Sequence, residues 1–320
     1  PALARPVELY PQITAVCAPG DQDRFGANFT AFTKRYCNAR RGRFGWDVSG
    51  CSNLDELSDK LRHVMVRRRK AAVLTELPPK TKRRVPIELS GQAATELKRC
   101  MEHLRKMGGA LRLLNEGGAG GGGGASGGAG RSSDSQALSV RNEHRRALME
   151  AFQLTGQAKL KGVREYVEQF LLGSDPEDKV IIFAHHIAVL DGIEEGLASH
   201  RGNKKKKGAR ISWMRIDGST PHSERTANAR TFQTDPKCRV ALIGMLAGGI
   251  GITLTAAAHV FFAELHWTPG VLAQAEDRAH RIGQTRNVQV HYLIGRNSLD
   301  DSLWRKIVSK VSVVSEALEG

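Results

Sequence analysis

Short apolar runs alternate with longer amphipathic stretches over the second half of the chain. Five of these runs have the length and the branched or aromatic content of buried β-strands, and they span 179–185, 211–217, 239–245, 259–265 and 288–294. The segments between the runs have helical spacing. Because apolar strands alternating with helices are typical of parallel sheets covered on both faces, the pattern predicts an α/β fold.

Pattern and composition divide the chain into three parts. Residues 1–115 are predicted to be mostly helical and basic, and the alternating pattern occupies 138–320. Between them, residues 116–137 are rich in glycine, which is typical of a flexible insertion that cannot pack a core.

Within the first part, the spacing predicts one helix over 54–77. Ser52 and Asn53 directly precede it as capping residues. Pro78 and Pro79 end it, because proline cannot continue a helix.

One stretch without charged residues has the length of a membrane span. Residues 240–263 contain no Lys, Arg, Asp or Glu. Several glycines interrupt the stretch, and both of its ends resemble β-strands. We therefore expect a strand, a glycine loop and a second strand there, and no membrane partner.

The charge balance points to a polyanionic partner. The 320 residues carry 48 Lys and Arg against 33 Asp and Glu, a formal net charge of +15. Lys and Arg bind phosphates with release of counterions, so nucleic acid is the first partner to consider. The five cysteines are scattered and form no C-x-x-C pair, which argues against a disulfide framework or a zinc site and favours a reducing compartment.

Two glycine-containing segments follow predicted strands. RIDGST (215–220) offers backbone N–H groups with Ser219 and Thr220, which together can hold a phosphate of a nucleic-acid backbone. AGGIGITLTAA (247–257) would let the backbone approach a ligand closely, with Thr253 as a further hydroxyl. An ordinary Asp-Gly turn and a tight strand connection are the alternative interpretations.

QAEDRAHRIGQ (274–284) is predicted to be one short helix with two arginines. Arg278 and Arg281 lie three residues apart, so a helix would place both on one face, where two guanidinium groups suit a phosphate. The alternative is a solvated face that pairs with Glu276 and Asp277. Since ligands of parallel sheets bind at the carboxyl ends of strands, we expect HRIGQ, RIDGST and AGGIG on or near that edge.

Three further features allow a functional and a structural interpretation. His185 and His186 could form a metal pair, but no third ligand has suitable spacing, so a structural role is favoured. Trp46 and Trp267 could stack on a base, although packing is the usual role. The lysine run at 204–207 fits a solvated loop better than a DNA-facing surface.

Taken in order, KVIIFAHH, RIDGST, AGGIGITLTAA, FFAELHWTPG and QAEDRAHRIGQ resemble the second RecA-like lobe of Swi/Snf-type DNA translocases of helicase superfamily II. The resemblance covers about residues 159–320. Residues 1–115 resemble the tail of the first RecA-like lobe with its helical protrusion and interlobe segment. FGWDVSG, FAHH and DDSLW are similar to the annealing-helicase branch, the HARP-type proteins that remodel stalled replication forks.

The resemblance implies nucleotide-related roles at five positions. Arg278 and Arg281 would be arginine fingers that reach the γ-phosphate of ATP, and Gln274 would help to position the helix that carries them. Gly249 and Gly251 would couple the nucleotide state to the grip on DNA. The implied cofactors are ATP and Mg²⁺.

The resemblance also implies DNA contacts and a cellular setting. The implied contacts are Arg215, Gly218, Ser219, Thr220, Thr253 and Trp267. Arg67 and Arg68 resemble part of a brace between the lobes. The implied partners are forked or branched duplex DNA and single-strand/duplex junctions in the nucleus, with a single-strand-binding protein reached through regions outside this chain.

Two motifs that nucleotide hydrolysis needs do not occur in the sequence. It contains no G-x-x-x-x-G-K-[ST] and no strand-borne Asp-Glu box. We expect the phosphate cradle and the Mg²⁺ ligands in a first lobe preceding residue 1, and no ATP hydrolysis by this chain alone. Met245 and Thr268 replace a hydroxyl residue and an asparagine that the family usually has. A chromatin-remodelling ATPase motor and a DNA-binding module without ATPase activity remain as alternatives.

Overall fold

The computed structural model describes residues 5–17, 24–42, 45–66, 68, 70–116, 129–202, 211–247 and 251–319. Four features named above lie outside the described residues: Arg67, Gly249, the lysine run at 204–207 and most of the glycine-rich insertion, at 117–128.

The first part of the chain forms a small, mostly helical unit. Its elements are a 3-10 turn at Pro6–Leu9, α1 (Tyr10–Val16), α2 (Phe29–Tyr36), β1 (Arg40–Gly42), β2 (Gly45–Asp47), α3 (Leu54–Leu61) and α4 (Lys70–Val73). Strands β1 and β2 pair antiparallel as a hairpin. Phe25, Phe32, Tyr36 and Leu57 form the centre of a separate core in this unit.

The predicted continuous helix over 54–77 is wrong. Helix α3 ends at Leu61, the last buried position of its apolar face, and packing no longer supports the helix beyond it. The predicted caps act elsewhere: the Asn53 side chain and the Ser52 hydroxyl both donate to the Arg35 carbonyl, at 2.7 and 2.6 Å. Asn53 itself lies in the left-handed region with φ of 49°.

A six-stranded parallel sheet forms the second and larger part. Its strands are β3 (Lys80–Ile87), β4 (Val180–Ala184), β5 (Ser212–Ile216), β6 (Cys238–Gly244), β7 (His259–Phe262) and β8 (Val288–Gly295). The spatial order is β3-β8-β7-β4-β6-β5, and every neighbouring pair is parallel. The predicted parallel sheet is therefore confirmed, and five of its six strands are the five apolar runs of the sequence.

The sixth strand, β3, comes from residues 1–115, where we expected mostly helix. Its sequence KTKRRVPI is mostly polar and largely exposed. It lies at the edge of the sheet and pairs with β8 from Lys80 opposite Val288 to Ile87 opposite Gly295. Charged edge strands are common because they discourage pairing with other chains, and they lack the apolar run that identifies central strands.

Helices cover both faces of the sheet. They are α5 (Gly91–Glu116), α6 (Ala129–Gly173), α7 (Ile187–Gly202), α8 (His222–Thr234), α9 (Pro269–Glu276) and α10 (Leu299–Glu319). Along β4, Ile181 and Phe183 pack into one core and Val180 and Ile182 into the other. This alternation in an entirely buried strand is what a sheet covered on both faces requires.

Two other predictions concern the glycine-rich insertion and the uncharged stretch. Helix α5 extends through Glu116 and α6 begins at Ala129, so both ends of the range 116–137 are helical. The uncharged stretch at 240–263 forms β6, a connection and β7, as predicted. Among the described helices, none combines the length and the apolar character needed to cross a bilayer.

Candidate functional site

A buried glutamate organises the carboxyl end of β4. Glu264 follows β7 and is 1% exposed. One of its carboxylate oxygens accepts the backbone N–H groups of His185 and His186, both at 2.8 Å, and the other lies 2.6 Å from His186 Nδ1. Burial alone would raise the pKa of Glu264, but the bonds and charge from His186 bring it below its usual value.

Glu264 therefore holds the backbone of both histidines and the side chain of His186. Within the described part of the chain, no group of three or more His, Cys, Asp or Glu is arranged to hold a metal ion. Glu264 binds the backbone where β4 turns into α7 and so fixes the start of that helix.

The segment after β5 is a pre-organised turn. Asp217 accepts the Ser219 backbone N–H at 2.9 Å and the Ser219 hydroxyl at 2.6 Å. Its own N–H donates to the Thr220 hydroxyl at 3.0 Å. The hydrogen bond from the Ser219 side chain is the largest contribution to a pKa of Asp217 of about 2. Gly218 and Ser219 are exposed, so the outer side of this turn faces solvent at the carboxyl edge of the sheet.

Arg215, in the strand that precedes the turn, forms hydrogen bonds with three carboxylates. Its guanidinium donates to Asp217 at 2.8 Å and to Asp191 and Glu194 at 2.7 Å each. Burial opposes the charge, but these bonds raise the pKa of Arg215 above its usual value. The sequence led us to expect that Arg215 contacts DNA directly. In the structure its guanidinium donates to Asp217 and so orients that carboxylate.

The segment that carries the two arginines is not one helix. Helix α9 ends at Glu276, and Arg278 and Arg281 lie in the turns that follow. Longer-range bonds compete with the helix, because the Arg278 carbonyl accepts the Leu254 N–H at 2.9 Å. The argument that both arginines share one helix face is therefore wrong.

The Gln284 side chain, which is buried, fixes the end of this segment. Its amide donates to the carbonyls of Thr255, Ala257 and Ala279 at 3.1, 2.8 and 3.1 Å. The chain after α9 is thus tied to the connection between β6 and β7.

The two arginines remain close to each other. Burial lowers the pKa of Arg278, and the positive charge of Arg281 lowers it further. Arg281 is exposed, and its Nη1 lies 3.4 Å from the Gly251 carbonyl and 3.3 Å from the Thr253 hydroxyl. The described part of the glycine loop and the arginine segment are therefore in direct contact.

Glu276 and Asp277 pair with lysines. The Lys80 ammonium lies 2.7 Å from Glu276, and that of Lys82 lies 2.9 Å from the same carboxylate. Lys70 pairs with Asp277 at 2.7 Å. Burial would raise the pKa of Glu276, but the charges of Lys80 and Lys82 keep it below its usual value. We call these three lysines and two acids the lysine clamp.

The lysine clamp also shows that HRIGQ is not at the carboxyl edge. Lys80 is the first residue of β3, and His280 Nε2 lies 2.8 Å from the Pro78 carbonyl just before that strand. The segment thus lies beside the amino ends of β3 and β8. The reason is topological: a helix that joins two parallel strands must return the chain to the amino end of the next strand.

The glycine loop connects the two edges. Gly244 closes β6 and packs against the turn, since a Cβ added there would lie 3.3 Å from Asp217 Cα. Gly251 has a φ of +32°, which favours glycine, and Thr253 is exposed beside Arg281. Gly244 therefore lies beside residues 217–220, which we call the DGST turn, and Gly251 and Thr253 lie beside residues 278–284, which we call the arginine segment.

The other predicted site residues occupy less distinctive positions. Gln274 is exposed on α9. Trp267 is half-buried against Phe152, with ring centroids 5.4 Å apart. Met245 is buried in the core, and Thr268 precedes α9 without a side-chain capping bond.

Several residues that build the site were missed in the sequence, or, like Glu276, were assigned other partners. Glu264, Glu276 and Gln284 are buried polar residues, and Lys80 and Lys82 reach Glu276 from a strand that was not predicted. One signal was available: Glu264 is an acid at the end of an otherwise apolar strand, where a buried charge needs partners.

Comparisons with known proteins agree with this geometry. A model of the helicase conserved C-terminal domain matches residues 162–283. The chain is 38% identical over 324 residues to the DNA annealing helicase and endonuclease ZRANB3 of Homo sapiens, covering 100% of this chain and 26% of the relative. It is 39% identical over 318 residues to the SWI/SNF-related matrix-associated actin-dependent regulator of chromatin subfamily A-like protein 1 homolog of Caenorhabditis elegans, covering 99% and 40%.

Two solved structures share the fold. The C-terminal part of the Fun30 ATPase domain superposes with a TM-score of 0.54 at 15% identity, over 76% of this chain and 99% of that one. The Sulfolobus solfataricus SWI2/SNF2 ATPase core domain gives 0.50 at 21%, over 97% and 57%. The chain spans 26% and 40% of the two curated relatives named above. The resemblance predicted from the sequence is confirmed: the chain contains a helicase conserved C-terminal domain, and over its whole length it is similar to a DNA annealing helicase and to a SWI/SNF-related protein.

Proposed function

We propose that this chain is part of an ATP-dependent DNA translocase that remodels or reanneals branched DNA at stalled replication forks in the nucleus. The observation that carries the proposal is the contact of Arg281 with Gly251 and Thr253. These residues belong to the loop that begins beside the DGST turn, so the proposed nucleotide-sensing residue touches the proposed DNA-gripping loop. The name of the ZRANB3 relative, an annealing helicase, supports the same assignment.

Arg278 and Arg281 are the proposed arginine fingers. The two oxygens that Arg281 contacts are neutral, at 3.3 and 3.4 Å, so its guanidinium can exchange them for a phosphate oxygen at low cost. Such a finger contributes about 10³–10⁵ to the rate of phosphoryl transfer. ATP, when bound, supplies the phosphoanhydride whose hydrolysis drives movement along DNA. The ligands of Mg²⁺ and the phosphate cradle belong, in this proposal, to the first lobe.

The DGST turn is the proposed contact with the DNA backbone. Gly218 and Ser219 face solvent, and the bonds of Asp217 hold the turn in place before DNA arrives. Arg215 fixes Asp217 from beneath, so it acts through the turn. Thr220, Thr253 and Trp267 complete the proposed DNA surface.

These positions suggest how nucleotide and DNA are coupled. When Arg281 turns toward a phosphate, it leaves Gly251 and Thr253 and frees the loop to shift. In this proposal the shift passes along the chain to Gly244, which packs on Asp217 of the DGST turn. A two-state loop biased by both ligands is sufficient for coupling of this kind.

The test is ATP hydrolysis by the full-length protein without DNA and with single strands, blunt duplex, forked DNA and nucleosomes. We expect stimulation by forked DNA to exceed that by blunt duplex. Ser219→Ala should lower the apparent affinity for DNA several-fold, whereas Ser199→Ala, at an exposed site on α7, is the matched control. Stronger stimulation by nucleosomes would favour a chromatin-remodelling motor. If DNA does not stimulate ATP hydrolysis, the result would favour a DNA-binding module without ATPase activity.

A further inference from the structure

The β1–β2 hairpin exposes a tryptophan that the proposed function does not use. Arg40 lies opposite Asp47 and Arg41 opposite Trp46 in the antiparallel register. All four of these residues are exposed, and Trp46 is 52% exposed. A half-exposed indole ring on a two-stranded hairpin is accessible to a flat aromatic ligand such as a nucleic-acid base.

The hairpin is anchored firmly at its base. The Ser52 N–H donates to the Tyr36 carbonyl at 3.0 Å, and the Asn38 N–H donates to the Ser52 hydroxyl at 3.1 Å. Gly50 packs so closely that a Cβ there would lie 2.8 Å from the Cys37 carbonyl oxygen. A pre-oriented aromatic ring loses little conformational freedom on binding.

The surroundings of Trp46 are basic rather than apolar. Residues 34–47 contain five Lys and Arg and one acid. The Lys34 ammonium lies 5.4 Å over the Trp46 ring centroid, and Arg41 lies opposite Trp46 on the same face of the hairpin, with Arg40 next to it in sequence. The single acid, Asp47, is held by the Ser49 N–H at 3.0 Å. A protein partner would favour apolar neighbours around the tryptophan, whereas this composition favours a nucleic-acid strand.

We propose that the β1–β2 hairpin is a second DNA contact, in which Trp46 stacks on an unpaired base at a single-strand/duplex junction. Arg40, Arg41 and Lys34 would hold the neighbouring phosphates. An unpaired base is required because bases within a duplex present no free face for stacking. This inference rests on the proposed function for the identity of the substrate as DNA, and it names the feature of that DNA that the protein selects.

The test compares Trp46→Ala and Trp46→Phe in the full-length protein at one fixed salt concentration. Fluorescence anisotropy gives the Kd for a forked DNA with single-stranded arms and for a blunt duplex of the same length. Trp46→Ala should weaken fork binding roughly 5- to 150-fold, the range of one base stacked on one aromatic ring, and should change the Kd for blunt duplex far less. Trp46→Phe keeps a ring and should retain most of the affinity for the fork.

Several results would overturn the proposal. One is that Trp46→Ala loses the same affinity for fork and for duplex, and another is that it loses no affinity for the fork. A third is that iodide does not quench the fluorescence of Trp46 in the full-length protein, because another part of the protein covers the ring. The two proposals fail separately. If the wild type hydrolyses ATP with DNA but Trp46→Ala keeps its fork preference, only the hairpin assignment fails. If the wild type does not hydrolyse ATP, the affinities still decide the role of the hairpin.

Discussion

Lys82 Nζ lies 2.9 Å from Glu276 Oε1, a contact that joins the edge strand β3 to the end of α9. Lys80 binds the other oxygen of the same carboxylate at 2.7 Å. Glu276 is only 1% exposed, and Arg278 follows it two residues later. The lysine clamp therefore sets where the arginine segment leaves the helix, and two of its lysines come from the edge strand of the sheet.

Removing both lysines should destabilise the fold. Lys80→Met with Lys82→Met leaves Glu276 buried with the Tyr292 hydroxyl and no cation, and breaking a buried pair in this way costs about 3–5 kcal/mol. Because Lys82 is half-exposed, we expect the low end of that range. Urea unfolding followed by circular dichroism measures the change. Lys161→Met, at an exposed lysine on α6, is the control, and a loss equal to the control would refute the role of the clamp.

The Gln284 side chain should be equally important for the arginine segment. Gln284→Leu leaves the carbonyls of Thr255, Ala257 and Ala279 without their donor in a buried site, at a cost of about 1–3 kcal/mol for an unsatisfied group. We expect a lower free energy of unfolding by about 3 kcal/mol. Gln169→Leu, at an exposed glutamine of α6, should change it by less than about 0.5 kcal/mol. Equal values for the two variants would contradict the structure.

The pKa of Asp217 predicts how stability depends on pH. A pKa lowered from 3.8 to about 2 in the folded state means that the folded protein binds this proton less readily than the unfolded chain does. The resulting stabilisation, about 2 kcal/mol, is fully present above pH 4 and is lost as pH falls toward 2. The difference in unfolding free energy between wild type and Asp217→Asn should therefore shrink between pH 5 and pH 3. A difference that stays constant over this range would refute the lowered pKa.

The parts of the fold that sequence reasoning predicted are those governed by apolar pattern. The run from Val180 to Ala184 is entirely buried, and such runs identified five strands and their parallel arrangement. Strand β3 was missed because an edge strand such as Lys80–Ile87 has only one neighbour and tolerates charge on its surface. Pattern alone therefore finds the centre of a sheet more readily than its edge.

The candidate site was harder to predict because distant contacts fix it. The local spacing of Arg278 and Arg281 favours a helix, but the Leu254 N–H captures the Arg278 carbonyl and the helix ends at Glu276. Likewise, nothing near Arg215 in the sequence indicates that Asp191 and Glu194 occupy its guanidinium. Tertiary hydrogen bonds decide both positions, and they leave no local signal.

The most direct test of the central claim is the kcat of ATP hydrolysis by the full-length protein at saturating forked DNA, with Arg281→Ala beside the wild type. Arg296→Ala, at an exposed arginine after β8, is the matched control. We predict that Arg281→Ala lowers kcat by about 10³-fold or more, because the finger acts on the charge that develops during phosphoryl transfer. A kcat for Arg281→Ala within about threefold of the control would show that Arg281 is not a finger and that its contact with Thr253 serves only the fold.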